Sequence, residues 1–258
     1  MVAADRLPNG ECSCVFVGKD ESMKQMTRRD FVTTSIATGS AAAVPTSAAA
    51  APAHAPSPQK IKIFAVSCSP RPGKTTATSL RVCLQAAADV APQIETELIE
   101  LAGLQIDGNL AAGVPLEPGQ RDDFPAVAEK LNSPDVRGII IGTPVYFSNM
   151  SSLCKAFLDR CIFLYRDDLA LSNKVAGVLA VGGSRSGGQE VTIQSVQSSL
   201  FCQKMIVVGT GEPGPRMGAR VWSGAEGGVT QDEYGMATAK SLGGRVAEVA
   251  LQLGGSTG

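Results

Sequence analysis

Hydroxyl and positively charged side chains are concentrated in one short segment, residues 67–76, which reads Ser-Cys-Ser-Pro-Arg-Pro-Gly-Lys-Thr-Thr and is called the first loop below. The apolar run Ile61–Val66 precedes it directly, and a stretch with helical periodicity follows it. A strand, a basic loop and a helix start in this order typically hold a phosphate, because the first N–H groups of a helix have no partner within it. The segment therefore predicts a phosphate site. Its candidate ligands are Ser67, Ser69, Arg71, Lys74, Thr75 and Thr76.

The last part of the first loop, Gly-Lys-Thr at residues 73–75, also resembles the end of a nucleotide-triphosphate loop. That motif requires a glycine five positions before its second glycine, and this chain has Cys68 there. Pro70 and Pro72 additionally remove two backbone N–H donors with which such a loop surrounds its phosphates. No apolar strand ends in an aspartate that would bind magnesium. We therefore expect a terminal monophosphate rather than a triphosphate.

A second loop, residues 142–150, follows the apolar run Val136–Ile141 and carries two adjacent aromatic residues, Tyr146 and Phe147. A planar apolar ring could lie against these aromatic side chains, with backbone N–H groups directed at its edge. An ordinary loop whose aromatic residues cover the core explains the same pattern equally well. The candidate ligands in this loop are Pro144, Val145, Tyr146, Phe147, Ser148 and Asn149.

A third loop, residues 182–190, follows the apolar run Val175–Val181 and contains four glycines within seven residues. Glycines let the backbone approach a ligand closely, and Arg185 adds a fixed positive charge that would stabilise an anionic ring. A glycine-rich loop alone is often only a flexible turn, but a position beside the second loop favours a ligand-binding role. The candidate ligands here are Gly182, Gly183, Ser184, Arg185 and Gly188.

Short β-branched runs alternate with stretches of helical periodicity between the three loops. Strands are predicted at Ile61–Val66, Thr96–Leu101, Val136–Ile141, Val175–Val181 and Met205–Val208. Helices are predicted at Thr75–Ala91, Phe124–Leu131, Ser151–Leu164, Gly188–Phe201 and Gln231–Leu253. This alternation predicts an α/β fold in which a parallel sheet has helices on both faces. Five strands without a second βαβαβ half favour a flavodoxin-like three-layer sandwich with strand order 2-1-3-4-5 over a dinucleotide-binding domain. In the flavodoxin-like order, ligands bind at the carboxyl ends of the strands.

The N-terminal residues differ in composition from this domain and predict a twin-arginine signal peptide. Thr-Arg-Arg-Asp-Phe-Val at residues 27–32 is followed by a mildly apolar stretch and by Ala-His-Ala at residues 53–55. The apolar stretch is too interrupted for stable membrane insertion, which requires about 20 strongly apolar residues. We expect residues 1–55 to be cleaved, residues 56–60 to form a linker, and the domain at 61–258 to be exported to the periplasm. A disordered Ala/Ser-rich linker with a chance Arg-Arg pair is the alternative.

Composition excludes several other classes of function. His54 is the only histidine and would be lost with the leader, so a histidine base, a histidine-ligated zinc ion and a Ser-His-Asp triad are excluded. Five cysteines follow the leader, none in a Cys-x-x-Cys pair, so neither a disulfide framework nor a structural metal site is predicted. Cys154, Cys161 and Cys202 lie in apolar helical patterns, and we expect them to be buried. The net charge of −1 and the lack of a basic stripe argue against a nucleic-acid partner.

Three groups of residues resemble the NAD(P)H-dependent FMN reductase superfamily, and within it the iron–sulfur flavoproteins. They are Ser-x-Ser-Pro-Arg at residues 67–71, Thr-Pro-Val-Tyr at 143–146 with Lys-Ala-Phe-Leu-Asp-Arg at 155–160, and the glycine-rich motif at 182–190 with Met-Ile-Val-Val-Gly at 205–209. The resemblance runs from about Ile61 to the C-terminal helix. It implies a flavodoxin-like fold, non-covalent FMN, two-electron reduction by NADPH or NADH, and a homodimer or homotetramer.

By position, the resemblance implies contacts to the FMN phosphate from Ser69, Arg71, Thr75 and Thr76. The second loop would line the isoalloxazine ring, and the third loop would close over its other side or edge. Iron–sulfur flavoproteins carry a compact group of cysteines after the second strand, whereas residues 101–123 of this chain contain none. Without thiolate ligands there is no cluster, so we expect an FMN-only protein.

In such a site the flavin supplies the redox chemistry and the protein supplies orientation and electrostatics. Arg185 or a nearby backbone N–H would stabilise negative charge on the reduced ring, and Tyr146 is a candidate proton donor. The expected acceptor is small, such as a quinone, a flavin or a metal ion. Because NAD(P)H is a cytoplasmic pool, an exported enzyme of this family would need another electron donor, such as a quinol or a redox protein. Two alternatives to the reductase therefore stay open: an electron-transfer flavoprotein that serves a redox protein partner, and a flavin-binding protein without turnover. The long loop at residues 209–230, with Arg216, Arg220 and Trp222, would cover the flavin or contact another subunit.

Overall fold

The computed structural model describes residues 60–212 and 214–254. The predicted signal peptide, residues 1–55, and linker residues 56–59 lie outside this range. The described strands are β1 (Ile61–Ser67), β2 (Ile94–Glu100), β3 (Val136–Pro144), β4 (Val175–Gly182), β5 (Ile206–Val207) and β6 (Ala219–Trp222). The described α-helices are α1 (Thr75–Ala88), α2 (Phe124–Asn132), α3 (Ser152–Arg160), α4 (Ile162–Arg166), α5 (Gln189–Cys202) and α6 (Glu233–Gly254). Two short 3-10 helices, Gly108–Ala112 and Val229–Gln231, complete the regular structure of these residues.

The strands form one parallel sheet with the order β2-β1-β3-β4-β5, which confirms the predicted flavodoxin-like order. Parallel pairing brings the carboxyl ends of neighbouring strands to one edge. Ser67 at the end of β1 is in register with Glu100 of β2 and Gly142 of β3, and Pro144 at the end of β3 is in register with Val181 of β4. The three loops that the sequence singles out, after β1, β3 and β4, therefore start from the same edge of the sheet.

Alternation of side chains along the strands produces two separate hydrophobic cores, one on each face of the sheet. Phe64 and Val66 of β1 pack on the face covered by α2, α3, α4 and α5. Ile63 and Ala65 point to the opposite face, where α1 and α6 cover the sheet. Because both faces are buried, the central strands read as continuous apolar runs, which is why the sequence reveals them clearly.

The fifth position of the sheet is divided between two short strands, which differs from the prediction. Met205–Val208 is predicted as one strand, but only Ile206 and Val207 pair, with the start of β4. The end of β4 instead pairs with β6, which lies inside the predicted loop at residues 209–230. This four-residue strand has the alternating burial of a sheet edge, but four residues are too few for periodicity to identify it.

Among the predicted element boundaries that differ by a few residues from the structure, two concern the second loop and the helix after it. Strand β3 continues through Pro144, so the first three residues of the predicted second loop belong to the strand. Proline is tolerated there because it is the last strand residue, and the next N–H, of Val145, donates to the Val181 carbonyl at 2.9 Å. The predicted helix Ser151–Leu164 is interrupted at Cys161, whose N–H is shared between the carbonyls of Phe157 and Leu158.

The cysteine prediction is confirmed for Cys154 and Cys161 and is wrong for Cys202. The thiols of Cys68, Cys154 and Cys161 are buried in the core below α3, and burial raises the pKa of Cys161 to about 12. Cys202 is exposed, because it is the last residue of α5 and lies on the solvent side of that helix.

The C-terminal helix α6 is the longest described helix and packs along α1. Gly243 lies at their closest approach: a Cβ atom there would lie 2.8 Å from Cys83 Cα and would also collide with the Cys83 carbonyl group. At the neighbouring Gly244, such a Cβ atom would meet no atom within 4 Å among the described residues, apart from the adjoining residues and backbone of α6 itself. Within residues 60–212 and 214–254, no helix, α6 included, has the length and hydropathy needed to cross a membrane.

We expect Gly243→Ala to lower the free energy of unfolding by about 1–3 kcal/mol, because the helix backbones must separate to admit the methyl group. Gly244→Ala is the matched control, and it should raise the free energy of unfolding by about 0.5–1 kcal/mol through helix propensity. Urea unfolding followed by circular dichroism measures both values. Equal effects of the two substitutions would show that α1 and α6 do not meet at Gly243.

Candidate functional site

The first loop leaves β1 at Ser67 and enters α1 at Thr75. Two of its hydroxyl groups, Ser67 Oγ and Thr76 Oγ1, are buried and have no hydrogen-bond partner among the described residues. Buried hydroxyls normally have a partner, so both groups are suited to bind a ligand atom. The Ser69 hydroxyl is engaged within the loop, where it accepts from the Arg71 N–H at 3.2 Å.

Two positively charged side chains near the start of α1 have no ion-pair partner among the described residues. Arg71 and Lys74 are exposed, and neither forms an ion pair within the described part of the chain. Lys74 is the N-cap residue of α1, and the first turn of that helix contains no acidic residue. Free amides, two cations and the positive end of the helix therefore meet at one place, which favours a bound anion.

Glu100, which the sequence analysis missed, fixes the shape of the first loop. Its carboxylate accepts from the Gly73 N–H at 2.7 Å and from Arg81 Nη2 at 3.2 Å. Gly73 has a φ of 65°, a conformation that favours glycine, and this bond holds the turn before α1. In the sequence, a glutamate at the end of a strand is only a weak sign of a role in a loop. The register of β1 and β2, which places Glu100 beside Ser67, shows that it lies next to the first loop.

The second loop turns through a tight hairpin at its tip. Tyr146 and Asn149 exchange two backbone hydrogen bonds, at 2.8 and 3.0 Å, and the two residues between them have positive φ angles. Phe147 at 47° and Ser148 at 58° thus form the central pair of a type I′ turn without glycine. The turn presents the fully exposed Phe147 ring and the half-exposed Tyr146 ring to solvent, rather than covering the core with them. Non-glycine residues in this conformation carry strain that is often found at ligand sites.

Ser151, also missed by the sequence analysis, joins the second loop to the first. Its buried hydroxyl donates to the Cys68 carbonyl at 2.7 Å and accepts from the Cys154 N–H at 3.1 Å, which makes it the N-cap of α3. Its own N–H donates to the Thr143 hydroxyl at 3.1 Å. A serine before a helical stretch signals a cap, but the sequence does not show that the cap also binds another loop.

The third loop meets the second loop at Gly188. This residue has a φ of 95°, and a Cβ atom there would lie 2.7 Å from Ser148 Cα, so only glycine allows this contact. The buried Gln189 side chain shapes the loop, because it accepts from the Gly187 N–H at 2.8 Å and donates to the Ser184 carbonyl at 2.5 Å. Gly183 and Ser184 remain exposed at the tip.

Arg185 leaves the third loop toward β6 and the start of α6. Its guanidinium donates to Asp232 Oδ1 at 2.8 Å and lies over the Trp222 ring at 4.9 Å. Asp232 is fully buried and also accepts from the Trp222 N–H at 2.7 Å, and the Trp222 indole donates to the Gly183 carbonyl at 3.0 Å. Arg185, the cation predicted in the third loop, therefore lies at the site. Its guanidinium is oriented by Asp232, which the sequence analysis missed.

The contacts connect all three predicted loops into one continuous surface at the carboxyl edge of the sheet. The first loop offers an anion site, the second an aromatic tip and the third exposed backbone with an oriented guanidinium. A phosphate carried on a flat, partly apolar molecule matches this combination, and the two unpartnered hydroxyls of Ser67 and Thr76 agree with it. Within the described residues, no three His, Cys, Asp or Glu side chains are arranged to hold a metal ion.

Fold and site together define an α/β protein of flavodoxin-like topology, whose first loop carries two cations without an ion pair and two buried hydroxyls without a partner among the described residues. The family model described as NADPH-dependent FMN reductase matches residues 61–214. The chain belongs to this family, and it is an oxidoreductase of the NAD(P)H-dependent, FMN-binding type.

Individual relatives agree with this assignment. The chain is 38% identical over 192 residues to an iron–sulfur flavoprotein of Methanocaldococcus jannaschii. The aligned segment covers 73% of this chain and 97% of the relative. The chain is 44% identical over 90 residues to an NAD(P)H dehydrogenase (quinone) of Paracoccus denitrificans, covering 35% of this chain and 43% of the relative. Among solved structures, a flavodoxin-like WrbA-like protein from Agrobacterium tumefaciens shares the fold with a TM-score of 0.53 and 19% identity, over 75% of this chain and 99% of that chain.

We expect Ser151→Ala to lower the free energy of unfolding by about 1–3 kcal/mol, because it removes a helix cap and leaves the buried Cys68 carbonyl without its donor. The matched control is Ser152→Ala, one residue further on at an exposed position, which should change stability by less than about 0.5 kcal/mol. Urea titration of both variants gives the comparison. A Ser151→Ala protein as stable as the control would contradict the link between the loops.

Proposed function

We propose that the protein accepts electrons from NADPH or NADH through bound FMN and passes them to a small acceptor, with a quinone as the first candidate. The observation that carries this proposal is the set of polar groups along the first loop: Arg71 and Lys74 form no ion pair among the described residues, and the hydroxyls of Ser67 at the end of β1 and Thr76 in α1 have no partner there, in a chain of the FMN reductase family. The similarity to a quinone-reducing dehydrogenase supports the choice of acceptor. Free flavins and metal ions are the other acceptors of this class.

The first loop would bind the FMN phosphate through Ser67, Ser69, Arg71, Lys74, Thr75 and Thr76. The second loop, residues 144–149, would lie against the isoalloxazine ring, and Gly182, Gly183, Ser184 and Gly188 of the third loop would border it on another side. Bound FMN supplies the two-electron redox chemistry. The protein would contribute the orientation of the ring and would limit its access to water.

Two side chains are proposed to act electrostatically or as a proton source. Arg185 holds a positive charge at the border of the third loop, and its contacts with Asp232 and Trp222 fix the guanidinium there. Positive charge that is already oriented stabilises developing negative charge without further rearrangement. Tyr146 presents a half-exposed phenol at the second loop and is the proposed proton donor to the substrate.

The phosphate site can be tested with two ligands that differ only in the phosphate. In Arg71→Ala/Lys74→Ala we expect the dissociation constant for FMN to rise by at least about tenfold, because two charge-assisted contacts are lost. The dissociation constant for riboflavin should stay within about twofold of the parent value. Flavin fluorescence titration of flavin-free protein measures both constants, and Lys240→Ala in α6 is the control for removal of an exposed lysine. Equal weakening for both flavins would place the phosphate elsewhere.

The electron donor can be tested on the protein as purified. We expect absorbance peaks near those of free flavin without the broad visible shoulder of an iron–sulfur cluster, and rapid bleaching on mixing with NADPH or NADH in a stopped-flow instrument. Bleaching that a quinone then reverses would establish both half-reactions. No bleaching by either nucleotide would refute the reductase proposal, and iron bound in stoichiometric amount would refute the FMN-only prediction.

A second candidate function follows from the twin-arginine pattern at residues 28–29. An exported flavoprotein would be separated from cytoplasmic NAD(P)H, so a redox protein could supply its electrons instead. Cell fractionation of the native host decides the location, and the bleaching experiment decides the donor. A cytoplasmic location with the leader retained would contradict export.

The oligomeric state is a separate question. The size of the purified protein in solution would test the expected homodimer or homotetramer.

A further inference from the structure

A cavity of about 420 Å³ lies beside the third loop and is separate from the first loop. Its lining residues come from the third loop, β6 and the start of α6, and they are Arg185, Ser186, Arg220, Val221, Trp222 and Tyr234. The hydrogen bond from the Trp222 indole to the Gly183 carbonyl makes the third loop one wall of this cavity. Its volume falls in the range of small-molecule sites.

Cationic side chains dominate the lining. Arg220 donates to Glu190 Oε1 at 2.6 Å, and its Nε is buried without a hydrogen-bond partner among the described residues. The Arg185 guanidinium lies over the Trp222 ring, 4.9 Å from its centroid, while one of its nitrogens is bound by Asp232. Arg216, whose Nε lies 3.3 Å from Tyr234 Oη, adds a third arginine beside the cavity, so these contacts contain three guanidinium groups and two carboxylates, those of Glu190 and Asp232.

Tyr234 adds a hydrogen-bond donor to this charge. Its Oη accepts from Arg220 Nη2 at 2.6 Å and from Arg216 Nε at 3.3 Å, which uses both lone pairs of the phenol oxygen. The phenolic proton is therefore the part of the group left to bind a ligand. The same two arginine contacts lower the pKa of Tyr234.

We propose that this cavity binds the anionic group of a ligand that also carries a planar ring, and that it is the specificity site for a redox substrate of the flavin. Arg220 and Tyr234 would bind the anionic oxygens, and the ring would lie toward Arg185 and Trp222, where the guanidinium already lies over the indole ring. The role of the cavity in substrate choice rests on the proposed function, whereas anion binding by the cavity does not. Two sources present this chemistry, an acidic quinone and the phosphate that distinguishes NADPH from NADH.

Trp222 permits a direct test, because it is the only tryptophan in the chain and it lines the cavity. Its fluorescence can be titrated in the flavin-loaded protein, without an electron donor, using a sulfonated naphthoquinone and the uncharged naphthoquinone. NADP⁺ and NAD⁺ form the second pair of ligands. Free N-acetyl-tryptophanamide corrects for absorption by the ligands.

We expect one charged member of these pairs to bind at least about tenfold more tightly than its uncharged or less charged counterpart. Tyr234→Phe and Arg220→Gln should each remove most of that preference, while Arg245→Gln, which removes an arginine from a different surface, should retain it. Preference for the sulfonated quinone identifies the acceptor as the source of the anion, and preference for NADP⁺ identifies the donor.

Equal response of Trp222 to the charged and uncharged members of both pairs would overturn the proposal, as would a preference that survives in both cavity variants. Absorbance of each variant gives its flavin content and shows that it is folded. Loss of the preference with normal flavin content and normal turnover of uncharged naphthoquinone supports the site. A charge preference in a protein that no nucleotide reduces would refute the proposed function while leaving the anion site standing.

Discussion

The geometry of the candidate site depends on the two hydrogen bonds of the buried Ser151 hydroxyl. This hydroxyl caps α3 and at the same time holds the Cys68 carbonyl of the first loop, so the helix, the second loop and the first loop cannot move independently. The Ser151 N–H bond to Thr143 connects this point to the end of β3. Since both loops start from neighbouring parallel strands, one hydroxyl is enough to set their spacing. The close approach of Gly188 to Ser148 then attaches the third loop to the second.

Charge is distributed unevenly along this connected edge. At the start of α1, Arg71 and Lys74 have no protein counter-ion among the described residues, and they lie beside free helix amides. At the other end, Arg185 is bound by a buried aspartate and an indole ring, which fixes its position but leaves half of its side chain exposed. One end therefore suits a mobile ligand with a phosphate, and the other offers an oriented cation that needs no rearrangement on binding.

Much of this arrangement could be predicted from the sequence, because its signals are local. The strands β1, β3 and β4 are continuous apolar runs, and the hydroxyls and glycines of the loops follow them directly. Glu100, Ser151 and Asp232 could not be predicted, since each acts through a partner at least 10 residues away that only the sheet register or helix packing brings near. Strand β6 was hidden for a related reason: its four residues are defined by pairing with β4, not by their own periodicity.

The central claim is that the first loop and the start of α1 bind the phosphate of FMN while the second and third loops border its ring. A crystal structure of the protein with FMN tests this most directly. We predict that phosphate oxygens lie within hydrogen-bond distance of the Thr76 hydroxyl and the first amides of α1, with the ring between the Tyr146 turn and Gly183. FMN bound with its phosphate away from α1, or a protein that crystallises from excess FMN with no flavin at this edge, would contradict the account.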